Sequence, residues 1–206
     1  DTLPAGTTFV SASNGGTYSY KRLRVLVTAG PTREFFDPVR FLSNPSSGKM
    51  GYALAEAAAR SGYTVTLVSG PVNLRPPTQC RLVPVVSARD MCRAVLRRAA
   101  QSDLVLMCAA VSDWRPTVRR RHKLKKGGQP LTVRLLPNPD ILKELGRRKR
   151  PGQVLVGFAA ETRDMIRHAR LKLHQKNLDA IVANLVGRSR GFEGDQNSVV
   201  LITKDG

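Results

Sequence analysis

The sequence predicts an α/β domain in three layers, a mainly parallel sheet covered by helices on both faces. Three observations carry that prediction. The runs Arg22–Gly30, Tyr63–Gly70 and Asp103–Val111 are continuously apolar rather than alternating, the mark of strands buried on both sides. Segments with apolar residues at helical spacing stand between them. Gly or Pro follows most of the strands, where a chain must turn back over a sheet. Strands and helices alternating in this way build a Rossmann-like sheet.

The elements follow in order. Residues 1–20 are rich in Gly, Ser and Thr and begin without Met, so they read as a linker or tag remnant ahead of a domain over 21–206. Arg22–Gly30 is the first strand. From Ser47, the apolar positions Met50, Leu54, Ala57 and Ala58 recur at helical spacing, and Gly62 ends that helix. Tyr63–Gly70 is the second strand, and a third lies near residues 82–86. Ser87 is a candidate cap for a helix holding Met91, Val95 and Ala99. Asp103–Val111 is the next strand. Later strands are expected at Leu131–Leu135, Val154–Ala159, Asp179–Ala183 and Val199–Thr203, with helices at 139–148 and 161–176.

Bulk properties narrow the function. With 206 residues and 41% apolar content, the chain suits one globular domain with a real core. No run has the length of a membrane span, and no leader peptide is visible, so no membrane partner is expected. Cys80, Cys92 and Cys108 have neither zinc nor disulfide spacing and read as reduced thiols of a cytoplasmic protein. The net charge is +19, and residues 114–150 hold thirteen Lys and Arg against Asp140 and Glu144. That concentration suits an anionic partner, a nucleic acid or a phosphorylated small molecule, or else a solvated basic face. Trp114 is the single aromatic interleaved there, which gives little support to a single-strand stacking platform.

Ligands of such sheets sit beyond the carboxyl ends of the strands. The loops to inspect there contain "SNPSSGKMGYALAE" (Ser43–Glu56), "AAVSDWRP" (Ala109–Pro116), "FAAET" and "ANLVG". The first is neither a P-loop nor a dinucleotide fingerprint, since only Gly48 and Gly51 are present. Its helix start can bind an anion through free N–H groups and the helix dipole, or it is a capping turn with a structural Asn44. Asp113 can hold a ribose, a base or a metal-bound water, or cap a turn. Lys123, Lys125 and Lys126 precede Gly127-Gly128, as a phosphate clamp on a mobile loop or as solvated charge. His168, Lys172 and Lys176 share one helix face, toward phosphates or toward water. No nucleophile elbow or zinc motif occurs, and no metal ligand is assigned.

Taken in order, "TAGPTRE", "DPVRFLSNPSSGKMG", "AAVSDWRP", "KLKK", "NPDIL", "VGFAAET", "KLHQKNLDAIVAN" and "FEGDQNSVVLI" resemble the bacterial phosphopantothenate–cysteine ligases of coenzyme A biosynthesis, from about Arg22 to the end. The resemblance implies a two-step ligation. The carboxylate of 4′-phosphopantothenate attacks the α-phosphate of CTP, with Mg²⁺ (or Mn²⁺) assistance, giving an acyl-cytidylate and pyrophosphate. The amine of L-cysteine then displaces CMP. It also implies a homodimer, and a flavin-dependent decarboxylase as a fused or separate companion.

Position by position, the resemblance assigns Asn44 to turnover of the acyl intermediate and Lys123 to charge on the α-phosphate and leaving pyrophosphate. Met107, Cys108, Ala109, Asp113, Asn138, Pro139, Asp140, Ile141, Phe158, Lys172 and Lys176 match nucleotide-binding positions, as does Lys123. Arg40, Asn44, Ser46, Ser47, Gly48, Lys49, Met50 and Gly51 then form the phosphopantothenate side. The family continues past the position of Gly206, so a trimmed carboxyl end is expected. The alternative is a basic nucleotide- or nucleic-acid-binding module without ligase activity. A nicotinamide-linked reductase is disfavoured because Gly30-Pro31-Thr32 follows strand one without a glycine fingerprint.

Overall fold

The structure, a computed structural model, describes residues 8–10, 17–19, 22–185 and 198–204. Its centre is a sheet of seven strands. They are β3 (Arg24–Ala29), β6 (Thr64–Ser69), β7 (Cys80–Pro84), β8 (Leu104–Met107), β11 (Val154–Glu161), β12 (Ala180–Leu185) and β13 (Val200–Thr203), in the order β13-β12-β11-β8-β3-β6-β7. Every pair is parallel except the edge pair β12–β13. The parallel strands therefore follow the doubly wound 3-2-1-4-5-6 order, whose reversal between β3 and β8 opens a crevice at their carboxyl ends.

Among the described residues, four helices cover the sheet. On one face α1 (Lys49–Arg60) buries Tyr52, Ala55 and Ala59 against Val25, Val27, Ala29, Val65 and Leu67. On the other lie α2 (Ala88–Ala99), α3 (Ile141–Arg148) and α4 (Met165–Gln175). Their Met91, Val95, Ile141, Leu145, Ala169 and Leu173 pack with Leu26, Val105, Leu155 and Ile181. Alternate residues of β3, β6 and β8 feed the two cores, as the pleat requires, whereas β11, β12 and β13 feed only the second. The three layers match the expectation, although the cover is unequal, since α1 alone packs on its side over β3, β6 and β7.

Helix boundaries follow local chemistry. Ser87 and Asp90 form a reciprocal capping box at the start of α2, satisfying two orphan N–H groups, which contributes about 1 kcal/mol. A third is taken from outside: Glu34, in β4 (Arg33–Phe35), accepts the Ala88 N–H at 2.7 Å. Helix α4 starts at Met165 rather than at 161 because β11 runs on to Glu161 and Asp164, at φ 48°, turns the chain.

Two strand positions expected from the sequence are corrected. The strand expected at Leu131–Leu135 is displaced to β10 (Leu135–Pro137). It pairs antiparallel with β9 (Trp114–Pro116) in a separate ribbon, and residues 131–137 are exposed instead of buried in the sheet. Strand β8 stops at Met107, four residues short of Val111. There the Thr28 hydroxyl takes the Ala109 N–H in place of a ladder partner, and beyond it a lone parallel bridge between Pro31 and Ala110 remains. Within 1–20, β1 (Thr8–Val10) and β2 (Thr17–Ser19) form a two-stranded ribbon. The hairpin of β4 with β5 (Phe41–Ser43) was not visible as strand in the loop sequence. The stretch "FEGDQN" at 192–197 and the residue Gly206 lie outside the described residues.

Candidate functional site

The crevice at the reversal point is lined from both sides. Gly48 precedes α1 at φ 80°, a left-handed conformation that costs a side chain about 1–2 kcal/mol. It carries no side chain to cap the helix, and no acidic residue follows in the first turn. Gly51 lies so close to β3 that a Cβ would stand 2.5 Å from that of Ala29 and 2.8 Å from the Thr28 carbonyl. The two glycines thus set the amino end of α1, with its partial positive charge, directly over the end of β3.

Opposite α1, the chain leaving β8 completes a cavity of about 290 Å³. Gly30, Ser46, Ser47, Gly48, Lys49, Met50 and Gly51 face Cys108, Ala109, Ala110, Phe158, Val182 and Asn184 across it. Burial pushes the Cys108 thiol up to about 12, so it lines the wall as a neutral group rather than a nucleophile.

Neighbouring loops are tied to this wall. Asn44 donates its amide to the Val111 carbonyl at 3.1 Å and approaches that of Ala110 at 3.5 Å. The Thr32 hydroxyl accepts the Ser112 N–H at 3.0 Å. From the other side, the Asn138 side chain donates to the Ser112 carbonyl at 2.9 Å, and its backbone N–H to that of Asp113 at 2.7 Å. Two asparagines therefore clasp one loop between them.

The expected site residues divide among four places. Ser46–Gly51 meet Cys108, Ala109 and Phe158 in a single cavity, so residues expected on the phosphopantothenate and nucleotide sides share one wall. Met107 points to the core, where the Thr28 hydroxyl contacts its sulfur, and Ile141 is buried at the head of α3. Pro139, Asp140 and Lys176 lie in a second, open groove between α3 and the end of α4. Arg40 reaches the Asp37 carboxylate and the Leu124 carbonyl, next to the exposed Lys123.

The two helix lysines have carboxylate partners within the fold. Lys172 Nζ lies 2.6 Å from Glu161, which also meets His168 Nδ1 at 3.1 Å. Lys176 Nζ lies 2.9 Å from Asp140, the N-cap of α3. Burial pushes the Asp140 carboxyl up, but the Lys143 N–H and the Lys176 ammonium outweigh it and hold it below the usual range. Glu161 is likewise held low by Lys172 and His168 against the opposing effect of burial. Lys172 is thus paired with the last residue of β11, and Lys176 with the residue that caps α3.

Sequence reasoning passed over Asp37, Glu34, Glu161 and Asn184. Asp37 did carry a signal, since Asp-Pro marks a turn whose side chain binds following N–H groups. Glu161 and Asn184 stand in loops singled out above but have no spacing that marks them.

The chain is similar to known proteins over most of its length. Residues 20–206 match the family described as the DNA/pantothenate metabolism flavoprotein C-terminal domain. The coenzyme A biosynthesis bifunctional protein CoaBC of Bacillus subtilis is 53% identical over 184 residues, covering 88% of this chain and 45% of that protein. The CoaBC protein of Haemophilus influenzae is 46% identical over 184 residues, covering 89% of this chain and 46% of that one. This chain thus spans about half the length of these relatives. The crystal structure of the C-terminal domain of a CoaBC protein superposes with a TM-score of 0.75 at 46% identity, covering 89% of this chain and 83% of that one. By sequence match, by identity and by fold, the chain belongs to the DNA/pantothenate metabolism flavoprotein C-terminal domain family.

Proposed function

We propose that this domain is a phosphopantothenate–cysteine ligase, joining 4′-phosphopantothenate to L-cysteine at the expense of CTP. The observation that carries the reading is the shared cavity, where the positive end of α1 faces the loop that Asn44 and Asn138 hold. In the first step a carboxylate oxygen of phosphopantothenate bonds to the α-phosphorus, the bond to the β-phosphate oxygen breaks, and pyrophosphate leaves. In the second, the cysteine amine attacks the acyl carbon, CMP leaves with the bridging oxygen, and the nitrogen loses a proton.

Each step needs charge and position more than a nucleophile on the protein. Helix N–H groups at Ser46–Gly51 neutralise an anion, Lys123 offsets charge on the α-phosphate and departing pyrophosphate, and Lys172 and Lys176 hold the phosphate chain. The Asn44 amide polarises the acyl group. Asp113, Asn138, Pro139, Asp140 and Phe158, with Cys108 and Ala109, frame the nucleotide, while Met107 and Ile141, whose side chains are buried, can meet it only through their backbone.

Mg²⁺ or Mn²⁺ is the expected companion of the triphosphate. Among the described residues, no group of three or more His, Cys, Asp or Glu side chains is arranged to hold a metal. The described residues thus offer the ion no protein cage, and in this reading it travels on the phosphates. The same reading includes a homodimer, a cytoplasmic location and a flavin-dependent decarboxylase as companion. No described helix is long and apolar enough to cross a membrane.

Pyrophosphate release measured with CTP and ATP side by side tests the reading. It is expected with CTP, only in the presence of phosphopantothenate, with amide product appearing once cysteine is added. Salt-sensitive binding of random DNA with no nucleotide turnover would favour the basic binding module instead.

A further inference from the structure

The loop before β5 contains a carboxylate with no role in the chemistry above. Asp37 is fully buried, a costly place for a charge unless it is well paired. Its Oδ1 accepts the N–H groups of Val39 and Arg40, both at 2.8 Å, which shapes the turn. Its Oδ2 is directed elsewhere, to the N–H of Leu124 at 3.2 Å, with the Arg40 guanidinium 3.4 Å away. Arg40 in turn donates to the Leu124 carbonyl at 3.2 Å. One ion pair thus grips both backbone groups of a single residue 87 positions away in sequence.

Two further contacts extend the grip in register. The Arg120 N–H donates to the Phe36 carbonyl at 2.8 Å, and the Arg119 guanidinium lies 5.4 Å from the centre of the Phe35 ring. Segment 119–124 is therefore laid along residues 35–40. That same stretch continues through β5 into Asn44 and the start of α1.

We propose that Asp37 and Arg40 form a clasp that docks the lysine-bearing segment and sets the position of Lys123, which precedes the gripped Leu124. The proposal rests on the ligase reading for the task of Lys123, and it makes Asp37 and Arg40 positioning residues. Buried pairing is what allows a segment with no regular structure of its own to hold a cation in place.

Two variants test it. Asp37→Asn keeps an acceptor for the turn but removes the charge that orients Arg40. Leu124→Pro removes the gripped N–H on a segment outside the core. Because it also fixes φ at 124 and restricts Lys123, its cutting rate rather than its kcat decides the docking if Asp37→Asn fails to fold. In both, trypsin should cut after Lys125 and Lys126 about 5-fold faster or more, because the undocked state is more populated. The kcat for pyrophosphate release should fall roughly 10-fold to 100-fold, with KM for the nucleotide within about 3-fold, as a misplaced group demands. Wild-type cutting rates in the variants, or an undiminished kcat for Leu124→Pro, would overturn the clasp. A wild-type chain that releases no pyrophosphate would instead sink the ligase reading, while the cutting rates would still judge the docking.

Discussion

Asn44 donates its side-chain amide to the carbonyl of Val111 across 3.1 Å, linking the loop that enters α1 to the loop that leaves β8. Ser46–Gly51 and Cys108–Ala110, next to the two partners in the chain, line the cavity, so this bond ties its two walls together just outside it. An amide is suited to the place because it donates to the loop and retains an acceptor and a second hydrogen for a ligand.

Asn44→Asp should separate the two half-reactions. A carboxylate loses the donor and sets charge against a carbonyl oxygen, yet triphosphate contacts are untouched. Activation should persist while amide formation falls roughly 100-fold, the scale of losing one aimed donor. Quenched-flow analysis should then show acyl-cytidylate accumulating. Equal loss of both steps would refute the assigned role.

Lys123→Gln should lower pyrophosphate release by about 100-fold or more while leaving the melting temperature unchanged. The side chain is exposed and removing its charge opens no void. A variant that turns over normally would remove Lys123 from the chemistry.

Gly51→Ala should destabilise the fold by about 1–3 kcal/mol. The added carbon would meet both Ala29 and the Thr28 carbonyl, and backbone on β3 cannot swing aside as a flexible side chain can. Helix α1 must move off the strand, so nucleotide affinity should fall along with stability. Chemical denaturation and ligand titration of the same variant check the two together.

Acid should unfold this protein through its paired carboxylates. Burial pushes Asp37 and Asp179 up, but backbone N–H groups and cationic neighbours outweigh it and hold both low. Asp140 and Glu161 behave alike, and Arg147 and Arg148 hold Glu144 at about 2. Depressed folded values stabilise fully above the unfolded carboxylate range and lose that contribution as pH falls. The melting temperature should therefore stay level down to about pH 5 and drop between there and about pH 2. Asp179→Asn should melt lower than wild type at pH 7 and show a shallower acid limb. A melting temperature that rises on acidification would contradict the pairing.

Much of the architecture was legible because it is encoded locally. Apolar runs marked all seven central strands to within a few residues, since the strands of a covered parallel sheet leave little alternation to misread. Ser87 announced α2 because a hydroxyl three residues before a carboxylate satisfies N–H groups within its own turn. The strand at Leu135–Pro137 was misplaced because its pairing with β9 is tertiary and its side chains are exposed, which leaves no burial pattern to read.

The sequence alone determined the alternation of strands and helices, the glycines at the start of α1 and the concentration of cations in 114–150, all consequences of steric preference and spacing along the chain. The tertiary structure decided which loops meet. Asn44 finds Val111 across 67 positions, Asp37 finds Leu124 across 87, and Lys176 finds Asp140 across 36. Those meetings follow from the strand order, which places β3 beside β8. Strand order is set by the burial of whole faces at once, and no local stretch of sequence carries that information.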